Sequence, residues 1–355
     1  MLNERINHML LLMEANKLDA FLVSKAENIR YLSGFTGGED ARLLLSPEHR
    51  YILTDSRYFE QAARECPGWE LVESRPPGLE ELQRVSAGIK RLGIESHAVS
   101  YRSYLELETS LIMELVPLID MVEELRQIKD EDELRMMRAA ARIGDEVFSS
   151  LCRHKIVPGV SERELANEIV YLLRQKGCAS EAFATIALAG ENAALPHGHP
   201  GDRKLKAGDM LTLDFGGFYE GYAADMTRTL AIGEAGDDFK SRYQAVLEAQ
   251  MLGISLVRSG ASCREIDTKV RKCLGQHGLG EYFQHSTGHS LGLEIHESPS
   301  ISARSEAILQ ENMVVTVEPG IYLAGWGGIR IEDTVIVKNG GCEIITHSDK
   351  SLLII

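Results

Sequence analysis

The chain has 355 residues, enough by length for about two domains. Its 44% hydrophobic and 26% charged content is that of a globular protein with a sizeable core, and no run of about 18 apolar residues offers a membrane span. A net charge of −15 argues against non-specific nucleic-acid binding, which needs a basic surface. The opening Met-Leu-Asn-Glu-Arg-Ile-Asn-His does not read as a signal peptide, and the expectation is a cytoplasmic protein. The cysteines Cys66, Cys152, Cys178, Cys263, Cys273 and Cys342 are scattered with no Cys-x-x-Cys pair, so buried free thiols are expected.

Leu2 to Asn16 has the spacing of an amphipathic helix. Ala20–Ser24, Arg42–Ser46 and Tyr51–Thr54 read as strands, and Asp55 as the N-cap of a helix over Ser56–Glu65. Pro76-Pro77-Gly78 breaks the chain before a helix expected over Leu79–Arg91. This alternation predicts an α/β domain. The charged stretch Leu125–Glu133 reads as a boundary, with Asp130–Glu133 taken as cap and solvated surface. A long helix follows from Glu131 to about Cys152.

Beyond the boundary the sequence resembles itself. Pro158-Gly-Val-Ser161-Glu-Arg-Glu164-Leu165 through Gly177 matches Ser259-Gly-Ala-Ser262-Cys-Arg-Glu265-Ile266 through Gly278. Each copy reads as a turn, a Ser N-cap and an amphipathic helix. The likeness runs on into two acidic hairpins: Leu-Thr-Leu-Asp214 parallels Val-Thr-Val-Glu318, and Asp225-Met-Thr parallels Glu332-Asp-Thr. A hairpin folded about Tyr219 and Glu220 sets Asp214 opposite Asp225. One folded about Gly325 sets Glu318 opposite Glu332. Like charges opposed across strands repel, so two such pairs point to a cation.

Six of the eleven histidines fall between His197 and His296. In His285-Ser-Thr-Gly-His289-Ser-Leu-Gly-Leu-Glu-Ile-His296 the glycines argue against a helix, and Leu291, Leu293 and Ile295 alternate like a strand. His289 and His296 then share a site only if the chain bends, with Gly292 the natural place. Four carboxylates with one or two imidazoles make an oxygen-rich donor set suited to Mn²⁺, with Co²⁺ or Zn²⁺ as alternatives. Two ions about 3.5–4 Å apart would use all four carboxylates and activate a water for hydrolysis. His197 and His296 are candidates to stabilise the intermediate and protonate the leaving amine. His8, His49, His97, His154 and His347 read as surface or satisfied core; His199 and His277 stay open.

At these residues the chain resembles the pita-bread metallopeptidases, in the proline-specific branch of prolidase (Xaa-Pro dipeptidase) and aminopeptidase P. The likeness rests on Gly190-Glu-Asn192-Ala-Ala-Leu-Pro196-His197, Leu-Asp214-Phe-Gly, Asp225-Met-Thr-Arg, Ser-Thr-Gly-His289 to His296-Glu, Val-Glu318-Pro-Gly-Ile-Tyr322 and Gly-Gly-Ile-Arg330-Ile-Glu332-Asp. It covers the chain from about Asp130. Tyr31–Gly37 and Leu53–Tyr58 match the family's N-terminal domain more loosely. The resemblance implies a creatinase-like α/β N-terminal domain over 1–127. It implies an α+β catalytic pita-bread domain with a pseudo-twofold internal repeat over 128–355. Asp214, Asp225, His289, Glu318 and Glu332 would bind two divalent metals, Asp225 and Glu332 bridging them, with Asp214 on one ion and His289 and Glu318 on the other.

By the same resemblance His197 contacts the scissile amide, His296 stabilises the oxyanion and Glu318 carries the proton. His285 lies by the proline pocket, and Arg330 and Tyr322 back the carboxylates. The implied activity is hydrolysis of the bond before proline in short peptides, by a homodimer. A methionine aminopeptidase-like or broader aminopeptidase is the alternative, and a non-catalytic binding protein on the same fold the third reading. Leu323-Ala324 stands where the family often has Ile-Pro, and Ser290 where it often has Gly.

Overall fold

The computed structural model describes residues 2–75 and 78–355. The chain divides into two compact units, Met1–Arg126 and Gln127–Ile355.

The first unit is built on a six-stranded mixed sheet. The strand order is Glu70–Glu73, Arg50–Thr54, Ala41–Leu45, Ala20–Val23, Arg91–Glu95, Glu114–Leu118. Ala41–Leu45 runs antiparallel to both neighbours and the other pairings are parallel. Ala20–Val23 is buried throughout, as a central strand covered on both faces must be. The three expected strands are present within a residue or two, and the first helix is Leu2–Ala15. Asp55 caps as expected, accepting from the Arg57 N–H, but a 3₁₀ turn over Ser56–Tyr58 precedes the α-helix Phe59–Glu65. The helix expected over Leu79–Arg91 stops at Val85. Gly88 takes a positive φ of 89° after it, and Arg91–Glu95 is a strand with Leu92 and Ile94 in the core. The Pro76-Pro77 break lies outside the described residues.

The second unit repeats one plan twice. The first half has helices Glu131–His154 and Glu162–Gln175 and a sheet of Ile186–Ala189, Met210–Phe215 and Met226–Ala231. The second half has helices Asp237–Leu256 and Cys263–Gln276 and a five-stranded sheet centred on Val314–Val317 and Asp333–Lys338. The repeated serines act as read. Ser161 accepts from the Glu164 N–H, Glu164 returning the bond to the Ser161 N–H, and Ser262 accepts from the Glu265 N–H.

Period-two alternation decides what each sheet shows to each side. Leu211, Leu213, Phe215, Met226 and Leu230 pack against Val147, Leu151, Ile169 and Leu173 of the first helix pair. Val315, Val317, Val335 and Val337 pack against Val246, Ala249, Val270 and Leu274 of the second. The intervening positions, Thr212, Asp214, Thr227 and Thr229 in one half and Thr316 and Thr334 in the other, belong to the opposite faces. The two halves meet through these polar residues: Thr227 Oγ1 donates to Glu332, Thr334 Oγ1 to the Asp225 carbonyl, and Thr229 Oγ1 to the Arg330 carbonyl.

Candidate metal centre

The two hairpins differ in how they place their acids. In the second, Val314–Val317 pairs with 333–336 and Gly320–Leu323 with Gly327–Arg330 in one continuous register. That register sets Glu318 opposite Glu332, with Gly325 (φ 73°) at the turn as the sequence predicts. In the first, Asp214 pairs with Thr227 and Tyr219 with Tyr222, so the turn is Glu220-Gly221 rather than Tyr219-Glu220. Both turn residues have positive φ, 47° and 78°, as a type I′ turn requires. Asp214 and Asp225 are therefore diagonal neighbours and not directly opposed. A shift of two residues preserves the face, so both still point the same way.

His289 sits in the short strand Gly288–Ser290, which pairs antiparallel with Glu297–Ile301. The alternating run Leu291–Ile295 is not a strand. It is the loop that closes this hairpin, with a bulge at His289/Ser290. The loop supplies the bend that the histidine spacing demanded, and the His289 and His296 rings come to a centroid separation of 4.4 Å.

Asp214, Asp225, His289, Glu318 and Glu332 line one cavity of about 410 Å³. His197, His285, His296 and Arg330 line the same cavity. Tyr322 lies behind, accepting from Arg330 Nη1 at 2.6 Å with its oxygen 2.8 Å from His285 Nε2. Of the two open histidines, His199 lines the cavity, whereas His277 pairs with Glu248 at an exposed position. His8, His49, His97, His154 and His347 are all exposed. The six cysteines are free.

His289 Nδ1 is 3.1 Å from the Ser290 carbonyl, so that nitrogen carries the hydrogen. Nε2 faces the carboxylates, 3.4 Å from Glu318 and 3.5 Å from Asp225. Asp214 Oδ2 accepts from Arg330 Nη2, and Glu332 Oε2 accepts from Thr227 Oγ1 at 2.7 Å. Arg330 Nε also donates to Thr227 Oγ1. Among the described residues, Asp214 Oδ1, Asp225 Oδ1 and Glu332 Oε1 are buried with no hydrogen-bond partner. Orphaned buried acceptors are costly, and three converging here call for a cation.

The electrostatics agree. Burial, then Asp214 and Glu318, pushes the Asp225 carboxyl well above its ordinary range. Burial, then Asp225 and the other carboxylates, does the same to Glu332. Burial also raises Glu318, with His289 and Arg330 opposing. Burial, then the Arg330 charge, drives His285 down to about 4, so it is neutral at neutral pH. Burial and the neighbouring His289 and His197 lower His296.

The sequence reading missed the threonines that carry these contacts. Their signal was polar residues alternating with apolar ones in strands otherwise fit for a core. It also missed the apolar wall of Phe183, Ile186, Pro196 and Ile295. Glu133, read as solvated, is 3% exposed and its carboxylate accepts from the Tyr222 hydroxyl.

Two family models match the chain: the Creatinase/Prolidase N-terminal domain over residues 5–128 and Metallopeptidase family M24 over 135–339. Among curated relatives, a Xaa-Pro dipeptidase of Pyrococcus horikoshii is 34% identical over 353 residues, covering 99% of each chain. Among solved structures, a Xaa-Pro dipeptidase from Bacillus anthracis superposes with a TM-score of 0.97 at 39% identity, covering 100% of both chains. An X-Pro aminopeptidase from Thermotoga maritima gives 0.92 at 36% identity and 99% of both. The expected pita-bread architecture with a creatinase-type N-terminal domain is thus present, and the chain belongs to metallopeptidase family M24.

Proposed function

We propose that this enzyme cleaves the bond between an N-terminal residue and proline in short peptides, using two divalent ions. Asp214, Asp225, His289, Glu318 and Glu332 would hold them. The observation that carries the reading is the convergence of three partnerless buried carboxylate oxygens beside the free Nε2 of His289. Each of Asp214 and Glu332 has one oxygen tied to a donor and the other open, which fixes the carboxylate while leaving it able to ligate. Oxygen-rich donors favour Mn²⁺ over softer ions.

Divalent ions at this centre would lower the pKa of a water and polarise the scissile carbonyl. The residues do the rest. Water oxygen bonds to the carbonyl carbon, the C–N bond breaks, and Glu318 carries the proton from water towards the leaving nitrogen. His296, whose pKa burial and the neighbouring histidines lower, would donate to the developing oxyanion, and His197 would contact the amide. A prolyl nitrogen has no hydrogen of its own, so it must gain a proton to leave as an amine. The His285 ring bonds the Ser286 carbonyl through Nδ1 and faces the Tyr322 hydroxyl through Nε2, which makes it a wall rather than a proton donor. That wall, with Phe183, Ile186, Pro196 and Ile295, suits an apolar pyrrolidine ring.

The relatives carry both dipeptidase and aminopeptidase names, and the Thermotoga neighbour supports aminopeptidase action on longer peptides. Rates on Xaa-Pro and Xaa-Pro-Yaa measured side by side separate the two. Preference for a Met-Ala substrate over both would reject proline specificity. We further expect a cytoplasmic homodimer. Ile112 and Ile119 are 91% and 72% exposed and flank the edge strand Glu114–Leu118, a surface that pairing would cover. Sedimentation at assay concentration tests it.

A further inference from the structure

Lys129 stands in the charged stretch that the sequence presents as a boundary. Its side chain is 1% exposed. The ammonium lies 3.0 Å from Glu297 Oε2 and 3.5 Å from Ser290 Oγ. Ser290 follows His289 and Glu297 follows His296, so one buried cation touches the residue after each of the two apposed histidines. We propose that Lys129 is a positioning residue that holds His289 and His296 together in the centre, acting through Ser290 and Glu297.

The surrounding contacts make the loop depend on this pair. Ser290 Oγ donates to the Val314 carbonyl at 2.7 Å, leaving its oxygen to accept from the ammonium. Glu297 Oε1 accepts from the Glu294 N–H inside the loop. A Cβ on Gly292 would stand 2.8 Å from both Glu297 carboxylate oxygens, so the carboxylate and the loop backbone occupy the same narrow space. On its other side the loop is pinned by the Ala223 N–H, which donates to the Gly292 carbonyl at 2.7 Å. The Lys129 backbone is itself fixed, its N–H donating to the Asn312 carbonyl at 3.0 Å. A buried ammonium–carboxylate pair contributes little net stability against an apolar replacement of similar shape, but removing one partner strands a charge. Its effect here is to select one path for the loop. Lys129 does not line the cavity, and its ammonium bonds Ser290 and Glu297 and none of the five candidate ligands.

The importance of the two rings rests on the metallopeptidase reading; their apposition does not. The test uses Lys129→Met and the double variant Lys129→Met/Glu297→Gln in the full chain. Histidine-labelled, metal-free protein gives the ring-to-ring nuclear Overhauser effect between His289 and His296. Turnover of a Xaa-Pro substrate at saturating metal gives kcat and KM. The proposal expects the cross-peak to vanish in both variants. It expects kcat to fall at least tenfold with KM within twofold, and the double variant to regain thermal stability without regaining kcat. A role in stability alone would return kcat with stability. If Lys129→Met does not fold, the double variant carries the test. A retained cross-peak, or a double-variant kcat within twofold of the parent, overturns the proposal. Should the parent show no peptidase activity, the function fails while the cross-peak still judges this inference.

Discussion

Asp225 and Glu332 carry charges that the fold tolerates poorly. Both are buried among other carboxylates, and each has an oxygen without a partner. An ion cures both defects, so metal should stabilise the folded protein. At a metal concentration a hundredfold above Kd the gain is about 2.7 kcal/mol. Asp225→Asn should abolish that rise in melting temperature and the activity with it, while its metal-free form melts no lower than the parent's; calorimetry with and without Mn²⁺ reads all three. Thr227 serves both halves, donating to Glu332 and accepting from Arg330. Thr227→Val keeps the shape and removes both bonds. It should cost about 1–3 kcal/mol and weaken metal binding about 10- to 100-fold, measured by denaturant melts and metal titration.

At the scale of the hairpins, the sequence and the structure part company at one turn. The acids, their pairing into two copies and the second register were all legible, because Gly325 marks its turn plainly. The first register was displaced by two residues because Tyr219-Glu220 was taken as the centre. Glycine at the second turn position is the signal for Glu220-Gly221, since both central residues of a type I′ turn need positive φ. The diagonal placement weakens the argument from directly opposed charges without removing it: Asp214 still raises Asp225. Gly221→Ala should cost about 1 kcal/mol and loosen the hairpin that carries both aspartates, visible as faster amide exchange over Gly217–Ala223. The His289–His296 loop was legible only as a need for a bend. Its path is set by the adjoining Glu297 together with Lys129 and Ala223, which are distant in sequence and which no local pattern announces.

Across the whole molecule, polar side-chain pairs tie neighbouring segments together. Arg203 and Asp209 make two parallel bonds of 2.7 and 2.8 Å on the approach to the strand carrying Asp214. Burial raises the Asp209 carboxyl, but the Arg203 hydrogen bonds and the Lys206 N–H outweigh it, and the net shift is downward from 3.8. The unfolded chain therefore binds this proton more tightly than the folded one. The stability Asp209 contributes is fully present above about pH 4 and is lost as pH falls through the lower folded value. Asp209→Asn should cost about 1–2 kcal/mol at pH 7 and progressively less as the pH is taken below about 4, read from melts across that range. No described helix is long and apolar enough to cross a membrane.

The central claim is that the five converging side chains hold ions on which cleavage before proline depends. The direct measurement is amino-acid release from Xaa-Pro and Xaa-Pro-Yaa by the purified chain as supplied, after exhaustive chelation, and after return of Mn²⁺. The account predicts release that chelation abolishes and the ion restores, with Asp225→Asn inert throughout. Release undiminished by chelation, or retained in Asp225→Asn, would contradict it.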